Sequence, residues 1–60
     1  MTIEELITKL QESAAKRELR VIEQTTGVNY GTLRDVKDGR VRHPRIDTFT
    51  KLVSFYERPQ

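Results

Sequence analysis

Cysteine is absent from this sequence, and His43 is its only histidine. A disulfide framework and a cysteine-based zinc site are therefore excluded, and one histidine cannot hold a metal ion by itself. No apolar run approaches the roughly 20 residues that a membrane-spanning helix needs, so we expect no membrane partner. The first five residues are acidic where a secretory signal would be basic. These absences favour a cytoplasmic protein.

Signs of catalysis are missing as well. No pair of carboxylates is grouped with the histidine, and no serine or threonine has the neighbours that activate a nucleophile. We therefore expect no enzymatic activity, no cofactor and no small-molecule substrate. Hydrophobic residues make up 35% of the 60 residues and the net charge is only +2, which favours one small folded domain over a disordered chain.

The net charge hides an uneven distribution along the chain. Residues 16–45 contain eight Lys or Arg against four Asp or Glu, whereas residues 1–15 contain one against three and residues 46–60 balance. A basic middle between acidic and neutral ends is typical of a domain that presents one face to nucleic acid. Charge alone does not establish this, because a run of charges is commonly just a solvated surface.

Local signals predict two helices in the first half of the chain. Thr2 and Glu5 stand in the spacing of a capping box, so a first helix should begin at Ile3. Apolar residues then recur along one helical stripe, at Ile3, Leu6, Ile7, Leu10 and Ala14. A second helix is predicted from Leu19, and Gly27 is suited to end it because glycine adopts positive φ without a Cβ penalty.

Two further helices are predicted after this glycine. Asn29 is a preferred N-cap for a third helix that ends at Gly39, and a basic loop over residues 40–45 follows. The fourth helix should begin at about Ile46 or Asp47 and end at Pro59, with an ion pair between Asp47 and Lys51. Its predicted buried face consists of Ile46, Phe49, Leu52, Val53 and Tyr56. Since no segment alternates like a strand, the predicted fold is all-α, a compact bundle of four short helices.

The connection between the second and third helices carries the strongest functional signal. Two helices joined at a glycine, the second of them short, are typical of a helix-turn-helix, whose second helix enters the DNA major groove. The glycine and apolar positions resemble those of the lambdoid phage repressor and Cro family; they are Ile22, Gly27, Val28, Leu33 and Val36. The loop after the third helix and the run from Asp47 to Leu52 are similar to that family too, so the resemblance covers about residues 19–54.

The resemblance implies a lambda-repressor-like domain over residues 1–60 that binds double-stranded DNA sequence-specifically as a small transcriptional regulator, in a bacterial or phage-infected cell. It implies DNA contacts from Asn29, Tyr30, Gly31, Thr32, Arg34, Asp35, Arg40, Arg42, His43 and Arg45. In this assignment the third helix lies in the major groove, the loop meets phosphates, and Arg45 enters the minor groove.

Individual residues of the third helix have both a DNA-binding and an ordinary interpretation. Arg34 can donate two hydrogen bonds to guanine, and Thr32 can meet a thymine methyl group. Asp35 either orients Arg34 or accepts a hydrogen bond from cytosine. A phosphate contact is not expected, because the carboxylate of Asp35 would repel phosphate. Without DNA, Arg34 and Asp35 are solvated charges, Tyr30 is an aromatic packed over the helix start, and the loop is simply basic and solvated.

Two positions depart from the family pattern. Glu23 stands where the family usually has alanine at a close contact between helices, so either Glu23 swings to the edge or the helices cross less closely. Leu19 stands where the family commonly has a glutamine that contacts a phosphate. Arg17 or Arg20, nearby in sequence, is the alternative phosphate anchor.

Self-association and a rival hypothesis complete the expectations. Family members usually continue into a further helix and turn that build a dimer contact, whereas this sequence stops at Gln60, so we expect at most a weak homodimer that forms on DNA. The rival hypothesis is a protein-interaction module of the same fold, similar to an anti-repressor or antitoxin. DNA binding needs the basic residues of 34–45 on one side, whereas a protein-binding module should present an apolar patch there.

Overall fold

The computed structural model describes residues 1–57, and within this range the chain is all-helical with no strand. Its four helices are α1 (Ile3–Ala15), α2 (Leu19–Thr26), α3 (Tyr30–Lys37) and α4 (Ile46–Glu57). The predicted all-α class and the number and order of the helices are confirmed. The predicted end of the last helix at Pro59 lies outside the described residues.

Helix α1 begins at the predicted capping box. The Thr2 hydroxyl oxygen accepts a hydrogen bond from the Glu5 amide at 3.2 Å, and a Glu5 carboxylate oxygen accepts one from the Thr2 amide at 3.1 Å. The hydrogen bond from the Thr2 amide is the main reason that the pKa of Glu5 is lowered. The box therefore satisfies two backbone donors and favours the charged carboxylate at the positive end of the helix.

The end of α1 contains a feature that no sequence signal indicated. Arg17 has a φ of 60°, in the left-handed region. Its amide donates to the Ala14 carbonyl oxygen at 3.0 Å, and the Glu18 amide donates to the Ser13 carbonyl oxygen at 2.9 Å. This pair of bonds is a Schellman motif, which usually places glycine at the left-handed position. Here an arginine occupies it.

Three residues connect α2 to α3. Gly27 has a φ of 79° and its amide donates to the Glu23 carbonyl oxygen at 2.8 Å, so it ends α2 as predicted. The next amide, of Val28, donates to the Thr26 hydroxyl at 3.2 Å, which holds the turn. The Val28 side chain is buried in the same core as Leu33, in agreement with the staple-like spacing of the two residues.

The end of α3 is a second Schellman motif, this time with glycine in place. Gly39 has a φ of 77°, its amide donates to the Val36 carbonyl oxygen at 3.0 Å, and the Arg40 amide donates to the Asp35 carbonyl oxygen at 2.9 Å. The predicted stop is confirmed. Val41 then packs against the core, so the start of the basic loop is anchored to the body of the domain.

All four helices contribute to one hydrophobic core. Its buried members are Leu6, Leu10, Leu19, Ile22, Val28, Leu33, Val36 and Leu52. Because Leu33 and Val36 both point into this core, the side of α3 that carries Arg34 is left exposed.

The buried face predicted for the last helix is wrong at its first residue. Ile46 is 84% exposed, whereas Leu52 is fully buried. A helix turns about 100° per residue, so Ile46 and Leu52 lie about 120° apart around the helix axis, and the packing of α4 against α1 and α2 leaves Ile46 on the outer side. The predicted Phe49 and Tyr56 do pack against the core, Phe55 packs there as well, and Val53 is only half-buried.

The ion pair predicted on the last helix is also wrong. No contact of 4.0 Å or less joins Asp47 to Lys51. A carboxylate oxygen of Asp47 accepts a hydrogen bond from the Thr48 amide at 3.0 Å, so it serves the start of α4 instead.

Polar side-chain contacts connect α1 to α3 and to α4. The buried Ser13 hydroxyl lies 2.7 Å from the Tyr56 hydroxyl, which also donates to the Lys9 carbonyl oxygen at 3.3 Å. The Gln11 side-chain amide donates to the Lys37 carbonyl oxygen at the end of α3, at 3.2 Å. In the described part of the chain, no helix is long and apolar enough to cross a membrane.

Candidate nucleic-acid interface

The start of α3 is capped by two side chains that come from different places. The Asn29 side-chain oxygen accepts from the Gly31 amide at 2.7 Å, as the N-cap preference predicts. A carboxylate oxygen of Glu23, on α2, accepts from the Tyr30 amide at 2.9 Å. Glu23 therefore reaches across to α3, where its negative charge faces the positive end of the helix. This contact orients α3 relative to α2.

Gly31 occupies a confined position beside this cap. A Cβ at residue 31 would lie 3.0 Å from the Asn29 side-chain oxygen, closer than ordinary van der Waals contact. A larger residue would push the capping oxygen away from the amide that it accepts from. The absence of a side chain at Gly31 thus preserves the hydrogen bond of the Asn29 cap. This role is separate from the close approach of the backbone to a DNA groove that was expected for Gly31.

Tyr30 is half-buried and packs against the hydrophobic core. The guanidinium carbon of Arg20 lies 4.9 Å from the centre of the Tyr30 ring, which is a cation–π contact. Tyr30 therefore packs over the start of α3, as it was expected to do in the absence of DNA. Its ring also contacts the guanidinium group of Arg20 from α2. Sequence spacing did not indicate this contact, because it joins residues ten positions apart across the turn.

The remaining residues assigned to α3 differ in exposure. Arg34 is exposed, whereas Thr32 and Asp35 are half-buried. No carboxylate oxygen of Asp35 lies within 4.0 Å of the Arg34 guanidinium, so the expected orientation of Arg34 by Asp35 is not formed in the free protein. The backbone carbonyl of Asp35 accepts from the Arg40 and Val41 amides, at 2.9 and 3.3 Å. Asp35 thereby links α3 to the basic loop.

All four residues assigned to the loop are exposed; they are Arg40, Arg42, His43 and Arg45. Arg42 lines a shallow depression that Glu4 and Asp38 also line, without an ion pair to either within 4.0 Å. The surroundings of Arg42 are therefore less positive than the sequence of the loop indicates.

A second group of basic residues lies where α2 and α3 meet the end of α1. Arg17, Arg20, Arg34 and Lys37 line one depression together with Tyr30, and we call it the basic depression. Arg17 and Arg20 were expected only as alternative phosphate anchors, and Lys37 had no assigned role. The signal for Lys37 is its spacing of three residues from Arg34, which places both on one side of a helix.

Within residues 1–57 no exposed arginine forms an ion pair with a carboxylate. Within residues 1–57 the ion pairs of 4.0 Å or less are those between the Met1 amino group and Glu57, at 3.7 Å, and between Lys37 and Asp38, at 3.1 Å. The guanidinium groups between residues 17 and 45 therefore face solvent, where they are available to an anion. Over the same range no group of three or more His, Cys, Asp or Glu side chains is arranged to hold a metal ion.

Comparisons of the chain with protein-family models, with curated proteins and with solved structures found no match in any of the three.

Proposed function

We propose that this protein binds double-stranded DNA sequence-specifically through α2 and α3, acting as a helix-turn-helix. The observation that carries the proposal is the set of exposed arginines without carboxylate partners on and around two helices joined by a three-residue turn. Such a turn and a short second helix suit insertion into a major groove. The uncompensated cations supply the attraction to phosphates.

In this proposal the outer side of α3 meets base edges and the loop meets the backbone. Tyr30, Gly31, Thr32, Arg34 and Asp35 face the major groove from the helix start that Asn29 caps. Exposed Arg34 is the best candidate for guanine, because its guanidinium can donate two parallel hydrogen bonds. The loop residues Arg40, Arg42 and His43 contact phosphates, and Arg45 enters the minor groove.

The regulatory role that fits this proposal is repression by occupancy. A domain bound to an operator blocks polymerase there by occupying the site, which requires no contact beyond those to DNA. One α3 of eight residues reads only a few base pairs. We therefore propose that two copies pair weakly on DNA and occupy two half-sites one helical turn apart. Footprints on a selected site should then show two related half-sites, and a single unrepeated footprint would contradict the pairing.

Binding to selected duplexes as a function of salt tests the proposal directly. We expect the log–log slope of affinity against salt to be about −3 to −5, because several cations would each displace counterions from a phosphate. Arg34→Ala should relax the preferred base at one position, whereas Arg42→Ala should weaken all sequences alike. Lys51→Ala, on the exposed side of α4, is the matched control and should change neither the base preference nor the affinity for DNA.

Two outcomes would reject the proposal. A flat salt response would show that phosphates are not contacted, and an unchanged base preference in Arg34→Ala would show that α3 does not read the site. The rival protein-interaction module would then be favoured. The exposed apolar side chains of Val21 and Ile46, at 54% and 84% exposure, are where its partner should be sought.

A further inference from the structure

We propose that the basic depression is a preformed binding site for a phosphate group. Its four cationic side chains come from α2, from α3 and from the connection between α1 and α2, so folding rather than a run of sequence brings them together. They are Arg17, Arg20, Arg34 and Lys37. The site exists in the free protein and does not require a base sequence.

Charge is the first argument for an anion at this place. Like charges gathered around one depression repel one another, and a bound anion relieves that repulsion. No carboxylate lines the depression, and within residues 1–57 the ion pair at its rim is that of Lys37 with Asp38, at 3.1 Å. The guanidinium groups of Arg17, Arg20 and Arg34 remain without a carboxylate within 4.0 Å.

Shape and pre-organisation are the second argument. The depression has a volume of about 280 Å³, and Leu19 and Tyr30 supply apolar surface in its lining. A depression of this size and openness admits a phosphate group together with bound water. Arg20 is held over the Tyr30 ring at 4.9 Å, which reduces the freedom that its side chain loses when it binds an anion. Guanidinium groups match the geometry of phosphate oxygens by donating paired hydrogen bonds.

The same phosphate group can come from two sources. One is the DNA backbone, in which case the inference deepens the proposed function and extends the contact to the corner between α1 and α2. The other is a free phosphorylated small molecule. Since Arg34 belongs both to the basic depression and to the proposed base contacts, a free ligand of this kind would compete with DNA.

The first measurement uses inorganic phosphate, added at constant ionic strength to labelled protein while amide chemical shifts are followed by NMR. We expect saturable shifts at residues 17–20 and 30–37. Arg17→Gln and Arg20→Gln should each weaken binding by about tenfold or more, because each removes a charge-assisted hydrogen-bond donor. Lys51→Gln, which also removes one exposed positive charge but lies on α4 outside the depression, should bind phosphate like the wild type.

The second measurement is the salt dependence of duplex binding by the same variants, with circular dichroism to confirm that each is folded. If a DNA phosphate fills the site, Arg17→Gln and Arg20→Gln each make the slope shallower by about 1. If a free phosphorylated molecule fills it, the two variants lose phosphate binding and keep the wild-type slope.

The proposal is overturned if the wild type shows no saturable phosphate binding and both variants keep its slope. Saturable phosphate binding that is equally strong in both variants and in Lys51→Gln would also overturn it. If the protein binds phosphate in the depression but binds no duplex, the phosphate site is supported and the proposed function is rejected. The two failures are therefore distinguishable.

Discussion

At the scale of single residues, Arg17 has a backbone conformation that residues other than glycine rarely adopt. A left-handed conformation costs a non-glycine residue about 1–2 kcal/mol. Arg17 keeps a φ of 60° because the Arg17 and Glu18 amides donate hydrogen bonds to carbonyl oxygens of the last turn of α1. This conformation reverses the chain direction after α1, and Leu19 is then buried in the core. Backbone strain of this kind commonly occurs at functional sites, and Arg17 lines the basic depression.

Replacing Arg17 by glycine should therefore stabilise the protein. The relief of about 1–2 kcal/mol exceeds the cost of about 0.4–1 kcal/mol that a more flexible unfolded chain adds, so we expect a net gain of about 0.5–1 kcal/mol in the free energy of unfolding. Urea denaturation measures it. Lys16→Gly is the matched control, because Lys16 has a negative φ of −90° and no such strain to relieve, and it should destabilise. Equal losses in both variants would contradict the argument.

At the scale of the elements, the start of α3 depends on a side chain from another helix. The Asn29 cap is local, but Glu23 belongs to α2 and its carboxylate accepts from the Tyr30 amide. Of the two arrangements expected for Glu23, the side chain adopts the one that reaches across to α3. The charge sits at the edge of the helix pair and serves as a second cap.

Glu23→Ala should cost about 1–2 kcal/mol of stability, because the Tyr30 amide loses its acceptor and the helix dipole loses a compensating charge. Glu23→Gln keeps an acceptor oxygen and should lose less. The measurement is chemical denaturation, with Gln24→Ala at the exposed neighbouring position as the control. If Glu23→Ala were as stable as that control, the carboxylate would not be holding α3 in place.

At the scale of the whole molecule, the Tyr56 hydroxyl fastens the last helix to the first. It lies half-buried against Ser13 and the Lys9 carbonyl oxygen, and burial raises the pKa of Tyr56 above the ordinary value of 10.0, although the hydrogen bond with Ser13 acts in the opposite direction. Because the pKa is raised in the folded state, the neutral hydroxyl is the form that folding favours. Its contribution to stability is fully present below pH 10 and is lost as the pH rises through the raised pKa.

Tyr56→Phe should therefore have two effects. Near neutral pH the variant should lose about 1 kcal/mol, because the buried Ser13 hydroxyl is left without its partner. Above pH 10 the wild type should lose stability more steeply than the variant, which has no hydroxyl to ionise at this place. Urea midpoints at neutral and alkaline pH measure both effects. Parallel alkaline losses in the two proteins would show that Tyr56 ionises as readily folded as unfolded.

The sequence by itself determined that there are four helices, where α1 begins, where α2 ends and where α3 begins and ends. The capping box at Thr2 and Glu5, the left-handed glycine at residue 27 and the cap at Asn29 are interactions within a few residues of each other, so their residue types suffice to predict them. The core positions of α1 and α3 followed from helical spacing for the same reason.

Only the tertiary structure decided how the helices face one another and which charges meet. The rotation of α4 depends on its packing against α1 and α2, and for that reason Ile46 is exposed although its spacing fits an apolar stripe. The basic depression, the reach of Glu23 to α3 and the contact of Arg20 with Tyr30 join residues from different elements. Such contacts depend on the geometry of the assembled bundle, which spacing along one chain does not contain.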